Sequence, residues 1–352
     1  MNPEHVASIQ EALVEFLRVF RACFKRESTF HHLRTYAAGL LSDLRRKSVE
    51  PIALAAGVDE RTLQWFLSAM VWDHRRAQDL LGRIVANRHD GPDLIGVVDS
   101  CGHPKRGDKT PGVQRQGCGQ RGKHDNCVVG QHLWVTDNHP TRPLGCMLAS
   151  DLYLPPGWSE DRPRCRAAGI PDAVGYRPKW RIAVEQLEQA LGNGIRLGWV
   201  TFDEEYGTVP AFWFELDRLG LRGMGEVQPR FNAWATPPCC CSGRAEHASK
   251  RVDHLVTHSP AFTQQSWRPY RIKTTTRGAV VWEFKTAWVQ LVAQEDPGHP
   301  GHSTPTDRRY WLIAGRNPKT REMKYGSSSL LQIGRSDGRK ITDCKTREYR
   351  DG

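Results

Sequence analysis

The sequence predicts a mixed α/β layer fold preceded by an all-helical region, and three observations predict it. Residues 5–89 repeat apolar side chains at three- and four-residue steps, the period of a helix that buries one stripe. From about residue 91 the pattern becomes short apolar runs bounded by turn residues, as in buried strands. Those runs then alternate with helical segments in the order three strands, helix, strand, helix, strand, which suits one mixed sheet with helices packed on it.

In the helical region, Val6, Ile9, Leu13, Phe16, Leu17 and Phe20 form the first stripe, and a second helix is expected from Phe30 to Arg45. Pro51 then marks a helix start, Gly57 a tight turn and Asp59 an N-cap. Leu63, Phe66 and Leu67 give the next helix its apolar face. Two short helices around a Gly turn fit a helix-turn-helix unit, and fit an ordinary helical hairpin almost as well.

Leu94–Val98 is a continuous apolar run of strand length ending on Asp99. Val128–Val135 and Leu144–Leu154 are the next two strands, and Ala183–Leu191 is a helix with Val184, Leu187 and Leu191 on one face. Leu197–Phe202 is a strand ending on Asp203, Pro210–Leu219 a helix, and Gly223–Val227 a strand. Residues 229–275, broken by five prolines and rich in Arg and Lys, read as a basic insertion. Strands return at Ala279–Val292 and Arg309–Ala314. From Gly326 the apolar periodicity fails. The expected organisation is a helical DNA-binding region over 1–90, a catalytic core over 91–228, a basic, partly β insertion with its following strands over 229–325, and an atypical, disordered tail over 326–352.

Charge narrows the partner. Fifty Lys and Arg stand against 39 Asp and Glu, a net +11; residues 221–352 hold 22 basic and 12 acidic residues, so 22 − 12 = +10 of that excess lies there. A basic region of this kind attracts polyanions, above all nucleic acid. Lys105, Arg106, Arg115 and Lys123 in a glycine-rich stretch, and Arg244, Lys250 and Arg251 in the insertion, are the candidate phosphate contacts. No apolar run of about 18 residues occurs and the first 15 residues carry Glu4, Glu11 and Glu15, so a soluble, cytoplasmic protein without a membrane partner is expected. The ten cysteines include no C-x-x-C pair, and His103, His124 and His132 fit no standard zinc spacing. The absence of a Gly-Lys-Ser/Thr phosphate loop argues against nucleotide hydrolysis. Trp199, Trp213, Trp282 and Trp288 read as core, whereas Trp234 and Trp267, in the insertion, are candidates to stack on an unpaired base.

Asp99 and Asp203 each close a strand that reads as buried, and sites in open α/β sheets gather at strand carboxyl ends. Carboxylates there can hold the Mg²⁺ ions that assist phosphodiester displacement, although an Asp at a strand end is also an ordinary turn former or helix cap. Three stretches add to this pair: Val98-Asp-Ser-Cys-Gly-His-Pro-Lys-Arg-Gly107, Gly112-Val-Gln-Arg-Gln-Gly-Cys-Gly-Gln-Arg-Gly-Lys-His-Asp-Asn-Cys127 and Thr201-Phe-Asp-Glu-Glu-Tyr-Gly207. With Lys47-Ser-Val-Glu-Pro-Ile-Ala53 and Glu322-Met-Lys-Tyr325, they make the chain resemble the DDE-type transposases of bacterial insertion sequences over roughly residues 30–325.

The resemblance implies a ribonuclease-H-like catalytic fold, with Asp99 matching the first catalytic aspartate and Asp203 the second, both binding Mg²⁺, for which Mn²⁺ can substitute. It implies cleavage at the element's ends and transfer into target DNA, with a homo-oligomer as a further expected partner. It departs from the family after Tyr325. There the family continues into a serine-asparagine-alanine-proline turn and a helix bearing the third acid, whereas this chain reads Gly326-Ser-Ser-Ser-Leu-Leu-Gln-Ile-Gly-Arg335. The expectation is a chain truncated before that acid, inactive or impaired in strand cleavage and transfer. Glu283 and Glu322 are available carboxylates without a family match. The competing expectations are a non-catalytic DNA-binding remnant or inhibitor of the intact enzyme, and a zinc hydrolase built from the scattered His and Cys.

Overall fold

Helices formed by the three- and four-step stripes make up the first of two compact units, residues 1–89 and 90–352. The computed structural model describes residues 3–329 except 138, 140, 142, 237–239, 242–243, 246–247, 277 and 295–303. The first unit contains α1 (Pro3–Arg18), α2 (Glu27–Leu41), α3 (Val49–Ala55), α4 (Glu60–Ser68) and α5 (His74–Arg88). Leu17, Phe20, Phe24, Phe30 and Phe66 form its core, and a smaller cluster of Ile52, Ala53 and Leu63 ties α3 to α4. The predicted turn is present: Gly57 adopts φ +64°, a conformation that suits glycine, and the Asp59 side chain accepts the Arg61 N–H at 2.7 Å. Leu67 departs from expectation and is 49% exposed. The i+3 and i+4 positions fall on opposite sides of Leu63, and α4 packs through the side that carries Phe66.

The second unit is built on β1 (Leu94–Pro104), β2 (Gln114–Cys118), β3 (Lys123–Thr136), β4 (Gly145–Leu152), β5 (Leu197–Phe202) and β6 (Gly223–Val227). The β1 strand pairs antiparallel with β3 and parallel with β5. The β4 strand lies antiparallel on β3, and β6 lies parallel to β5. The order β4-β3-β1-β5-β6, a three-strand meander followed by two parallel strands, is the ribonuclease-H-like arrangement. After α6 (Pro156–Glu160) and α7 (Arg162–Ala167), α8 (Lys179–Gly192) crosses from β4 to β5. The short α9 (Glu204–Gly207) and α10 (Pro210–Arg218) then connect β5 to β6. Ile182, Ala183, Val184 and Leu187 of α8 are buried, and Phe202 of β5 meets the α10 rings of Phe212 and Trp213 at 4.9 and 5.0 Å. These aromatic contacts hold the carboxyl end of β5 in place.

The basic insertion continues this sheet. It supplies β7 (Asn232–Trp234), the paired β8 (Cys240–Cys241) and β9 (Arg244–Ala245), β10 (Lys250–Arg251), α11 (Val252–His258) and α12 (Pro260–Thr263). Then follow β11 (Arg268–Thr275), β12 (Gly278–Gln294), β13 (Thr304–Arg316) and β14 (Met323–Ser328). The path runs β10-β7-β12-β13-β14-β6-β5-β1-β3-β2. Trp234 is buried in it beside Val292, which removes it as a base-stacking candidate. Trp267 already has two cations against its ring, Lys285 at 5.0 Å and Arg316 at 4.4 Å from its centre. The strand over Met323–Ser328 also corrects the expected loss of structure from Gly326. Ser327 to Ser329 are buried, and the Gly223 N–H donates to Ser329 Oγ at 2.7 Å. The remainder of the expected tail, 330–352, lies outside the described residues. Among the described residues no helix is long and apolar enough to cross a membrane.

Candidate active site

Strand register brings Asp99 and Asp203 together. The last pair joining β1 to β5 is Val98 with Phe202, so the two aspartates are the next residue on each of two neighbouring parallel strands. Asp99 does not end its strand, as the sequence suggested: β1 runs on to Pro104 against β3, with Asp99 opposite His132. What ends there is the parallel neighbour, and this opens the sheet beside Asp99. Asp203 caps α9, accepting the Glu205 N–H at 2.9 Å, while Asp99 accepts the Ser100 N–H at 2.6 Å.

Each carboxylate thus has one oxygen held by backbone, and the other has no protein hydrogen-bond partner among the described residues. Burial of the closed side raises both acids, although both face solvent on the other. Asp203 is pushed up to about 6, against the lowering effect of its backbone bond, with the charges of Asp99, Glu205 and Glu204 adding to the rise. Asp99 is also raised by burial; the charge of Glu205 adds to the rise, while its backbone bond, His132 and Lys179 oppose it. Burial is the larger cause in both, and the negative charge that neighbouring carboxylates add to it is what a bound cation relieves.

A third carboxylate, not foreseen from the sequence, stands beside them. Glu205 Oε2 accepts the Ser100 hydroxyl at 2.9 Å, and Glu205 Oε1 pairs with Lys179 Nζ at 2.5 Å. The local signal is Asp203-Glu204-Glu205, an N-cap followed by two acids in the first turn of α9. Glu283 is instead engaged by Arg316 at 2.6 Å in the β12–β13 pair, which β14 and β6 separate from β5. Glu322 is exposed beyond that pair. Among the described residues no group of three or more His, Cys, Asp and Glu is placed to hold a metal ion. Two carboxylates still fit one hard cation. Mg²⁺ keeps several waters and commonly takes only one or two carboxylates.

The candidate DNA contacts divide into two groups. Lys105, Arg106, Arg115 and Lys123 are all exposed on the β1–β2–β3 hairpin, where the Asn126 amide donates to the Lys105 and Gly107 carbonyls at 2.9 and 2.8 Å. Lys250 and Arg251 lie at the opposite end of the strand path, and Arg251 is engaged by Asp253 at 2.5 Å. Arg244 lies in β9, and its side chain is outside what is described. The hairpin group is the one that flanks the acid pair along β1.

The raised Asp203 carries a stability consequence. Because its folded value lies above the ordinary carboxylate value of 3.8, the folded state favours the proton, and stability is lost as pH rises between 3.8 and about 6. Asp203→Asn is therefore expected to stabilise the protein at pH 7. After solvent screening the gain is on the order of 1 kcal/mol, or about 2–4 °C in thermal midpoint, and it should vanish near pH 3.5. A calorimetric scan at both pH values measures this, and a lower midpoint at pH 7 counts against the raised carboxyl.

A family model described as DDE superfamily endonuclease matches residues 19–279. The probable transposase for insertion sequence element IS701 from Microchaete diplosiphon is 27% identical over 223 residues, 63% of this chain and 55% of that protein, so the chain spans about half the length of this relative. Among solved structures, the NurA nuclease from Sulfolobus solfataricus is similar over 78% of this chain and 80% of its own at 7% identity, with a TM-score of 0.26 that is too low to bear on the fold. With the family model covering most of its length, the chain belongs to the DDE superfamily endonucleases.

Proposed function

We propose that this protein is a transposase that cleaves DNA at insertion-sequence ends and joins the freed 3′-hydroxyl to target DNA, with Mg²⁺ as cofactor and Mn²⁺ as its substitute. The observation that carries this reading is the in-register placement of Asp99 and Asp203 at the end of the β1–β5 pairing, in a chain of the DDE superfamily. Their oxygens not held by backbone would hold the cation. When bound, it supplies Lewis-acid polarisation of the phosphodiester and offsets charge in the transition state. The rest falls to the chain. The Ser100 and Glu205 N–H groups aim the two carboxylates. Asp203, at about 6, is mostly ionised at pH 7 and still close enough to titration to respond to mild acid. The hairpin cations steady the DNA backbone beside the pair, and α3 and α4 serve as the second DNA contact. Transfer needs two element ends held together, so a second copy of this chain is included as partner.

The reading is tested by incubating the purified chain with duplex carrying the element's ends and either Mg²⁺ or Mn²⁺. Slow nicking that leaves a 3′-hydroxyl and requires the dication is expected; nicking indifferent to chelation contradicts it. The lack of a third converging carboxylate among the described residues favours a second reading, a non-catalytic DNA-binding protein. This reading predicts end binding with no nicking at any dication concentration.

Both readings require salt-sensitive DNA binding. Changing Lys105, Arg106, Arg115 and Lys123 to Ala is expected to flatten the plot of log affinity against log salt by about 3.6, because each of the four lost phosphate contacts removes roughly 0.9 from the slope. The Lys250→Ala/Arg251→Ala protein should change the slope by about 1 or less, since Arg251 already has Asp253. Anisotropy titrations between low and physiological salt measure both slopes, and equal slopes in all three proteins would remove the hairpin from the interface.

A further inference from the structure

Lys179 occupies an unfavourable place for a cation. It is the first residue of α8, where the exposed N–H groups give the helix end a positive partial charge. Its side chain nevertheless lies inward, only 21% exposed, with Nζ 5.6 Å from the centre of the Tyr153 ring. Two groups hold it: Glu205 Oε1 at 2.5 Å and Ser100 Oγ at 3.5 Å. Ser100 in turn donates to the other Glu205 oxygen at 2.9 Å, so both oxygens of this carboxylate are engaged. Glu205 is close enough to raise both aspartates, and yet no three acids converge on a common point among the described residues. The ion pair accounts for the second of these facts, since both Glu205 oxygens are turned to Lys179 and Ser100.

We propose that Lys179 is a positioning residue that holds Glu205 against Ser100 and so keeps the third carboxylate of the site out of the cation's reach, limiting the site to one loosely held divalent ion. This rests on the reading of Asp99 and Asp203 as the cation's ligands. With the ammonium gone, Glu205, whose charge already reaches both aspartates, is free to add an oxygen, and affinity for hard cations rises with the number of charged oxygen ligands.

The test is Mn²⁺ binding to the full chain, by calorimetry and by the electron paramagnetic resonance signal of free Mn²⁺, in a double-mutant cycle. Lys179→Met is expected to bind Mn²⁺ about tenfold more tightly than the unmodified chain. In the Glu205→Gln background the same change should gain twofold or less, because the carboxylate it releases is no longer there. Lys179→Arg should keep the original affinity. An equal gain in both backgrounds would mean only the through-space loss of a positive charge, and would overturn the proposal. Unchanged or weaker binding by a folded Lys179→Met protein would also overturn it, as expected for a lysine that merely ties α8 to α9. Should that variant not fold, Lys179→Gln carries the same expectation. Asp203→Asn separates the two levels: if it leaves Mn²⁺ binding intact, the ligand assignment itself fails; if it removes binding and Lys179→Met gives no gain, only the role of Lys179 fails.

Discussion

Replacing Asp203 by Asn is expected to lower dication-dependent cleavage of end-bearing DNA by 10²–10³, the usual cost of deleting one preorganised electrostatic group from an active site. The substitution isolates charge from shape. An asparagine oxygen can still accept the Glu205 N–H that caps α9, so the turn after β5 persists while the carboxylate is lost. Asp99→Asn should cost as much, for the same reason: the Ser100 N–H keeps its acceptor. The unmodified chain is itself expected to be slow, because two carboxylates offset one dication rather than two. Glu283→Gln is the informative control. It breaks the Arg316 pair in a part of the sheet separated from β5 by two strands, and should leave the rate within about twofold. A collapse of activity in Glu283→Gln, with Asp203→Asn still active, would move the site to the β12–β13 pair and refute Asp99 and Asp203 as the cation's ligands.

The parts of this site that were legible in the sequence are those set by local pattern. Leu197–Phe202 and Gly223–Val227 have the predicted bounds because buried parallel strands read as continuous apolar or glycine runs between turns. Their carboxyl ends then point to Asp203 directly. The nomination of Asp99 rests on a strand end that the fold does not place there. Polarity ends the apolar run at Val98, but the strand continues, since β3 still supplies hydrogen bonds where β5 does not. No sequence pattern shows where a neighbouring strand stops. The β2 strand was hidden by Gly117 and by alternation of polar with charged residues, and Ser327 to Ser329 were hidden because a serine strand becomes buried only when β13 and β6 flank it. Glu205 was missed because its meaning lies in Lys179, 26 residues earlier on another element. Contacts of that span are set by the fold and leave no period in the chain.

A second large effect is expected at Gly207, the last residue of α9. A Cβ built there would lie 1.9 Å from the Glu226 carbonyl oxygen and 3.0 Å from its carbonyl carbon. Both are backbone atoms of β6, so no rotamer change relieves the overlap, and α9 must lift away from the strand. Overlap of this kind in a packed region belongs to the mutations that cost about 4 kcal/mol or more, which corresponds to roughly 8–16 °C in thermal midpoint for a unit of this size. Gly207→Ala should therefore give either a strongly lowered midpoint or insoluble protein. The damage should also reach the site, because the Gly207 N–H donates to the Asp203 carbonyl at 3.0 Å and closes the turn that aims the Asp203 carboxylate. Whatever folded protein remains should bind Mn²⁺ less well than the unmodified chain. Gly192→Ala provides the contrast. That residue ends α8 with nothing within 4 Å of its added Cβ, and alanine there should be neutral or stabilising by about 0.5–1 kcal/mol through the lower entropy of the unfolded chain. If the two alanine variants melt within about 2 °C of each other, α9 does not rest on β6 as described, and the turn that brings Asp203 beside Asp99 must be held by something else.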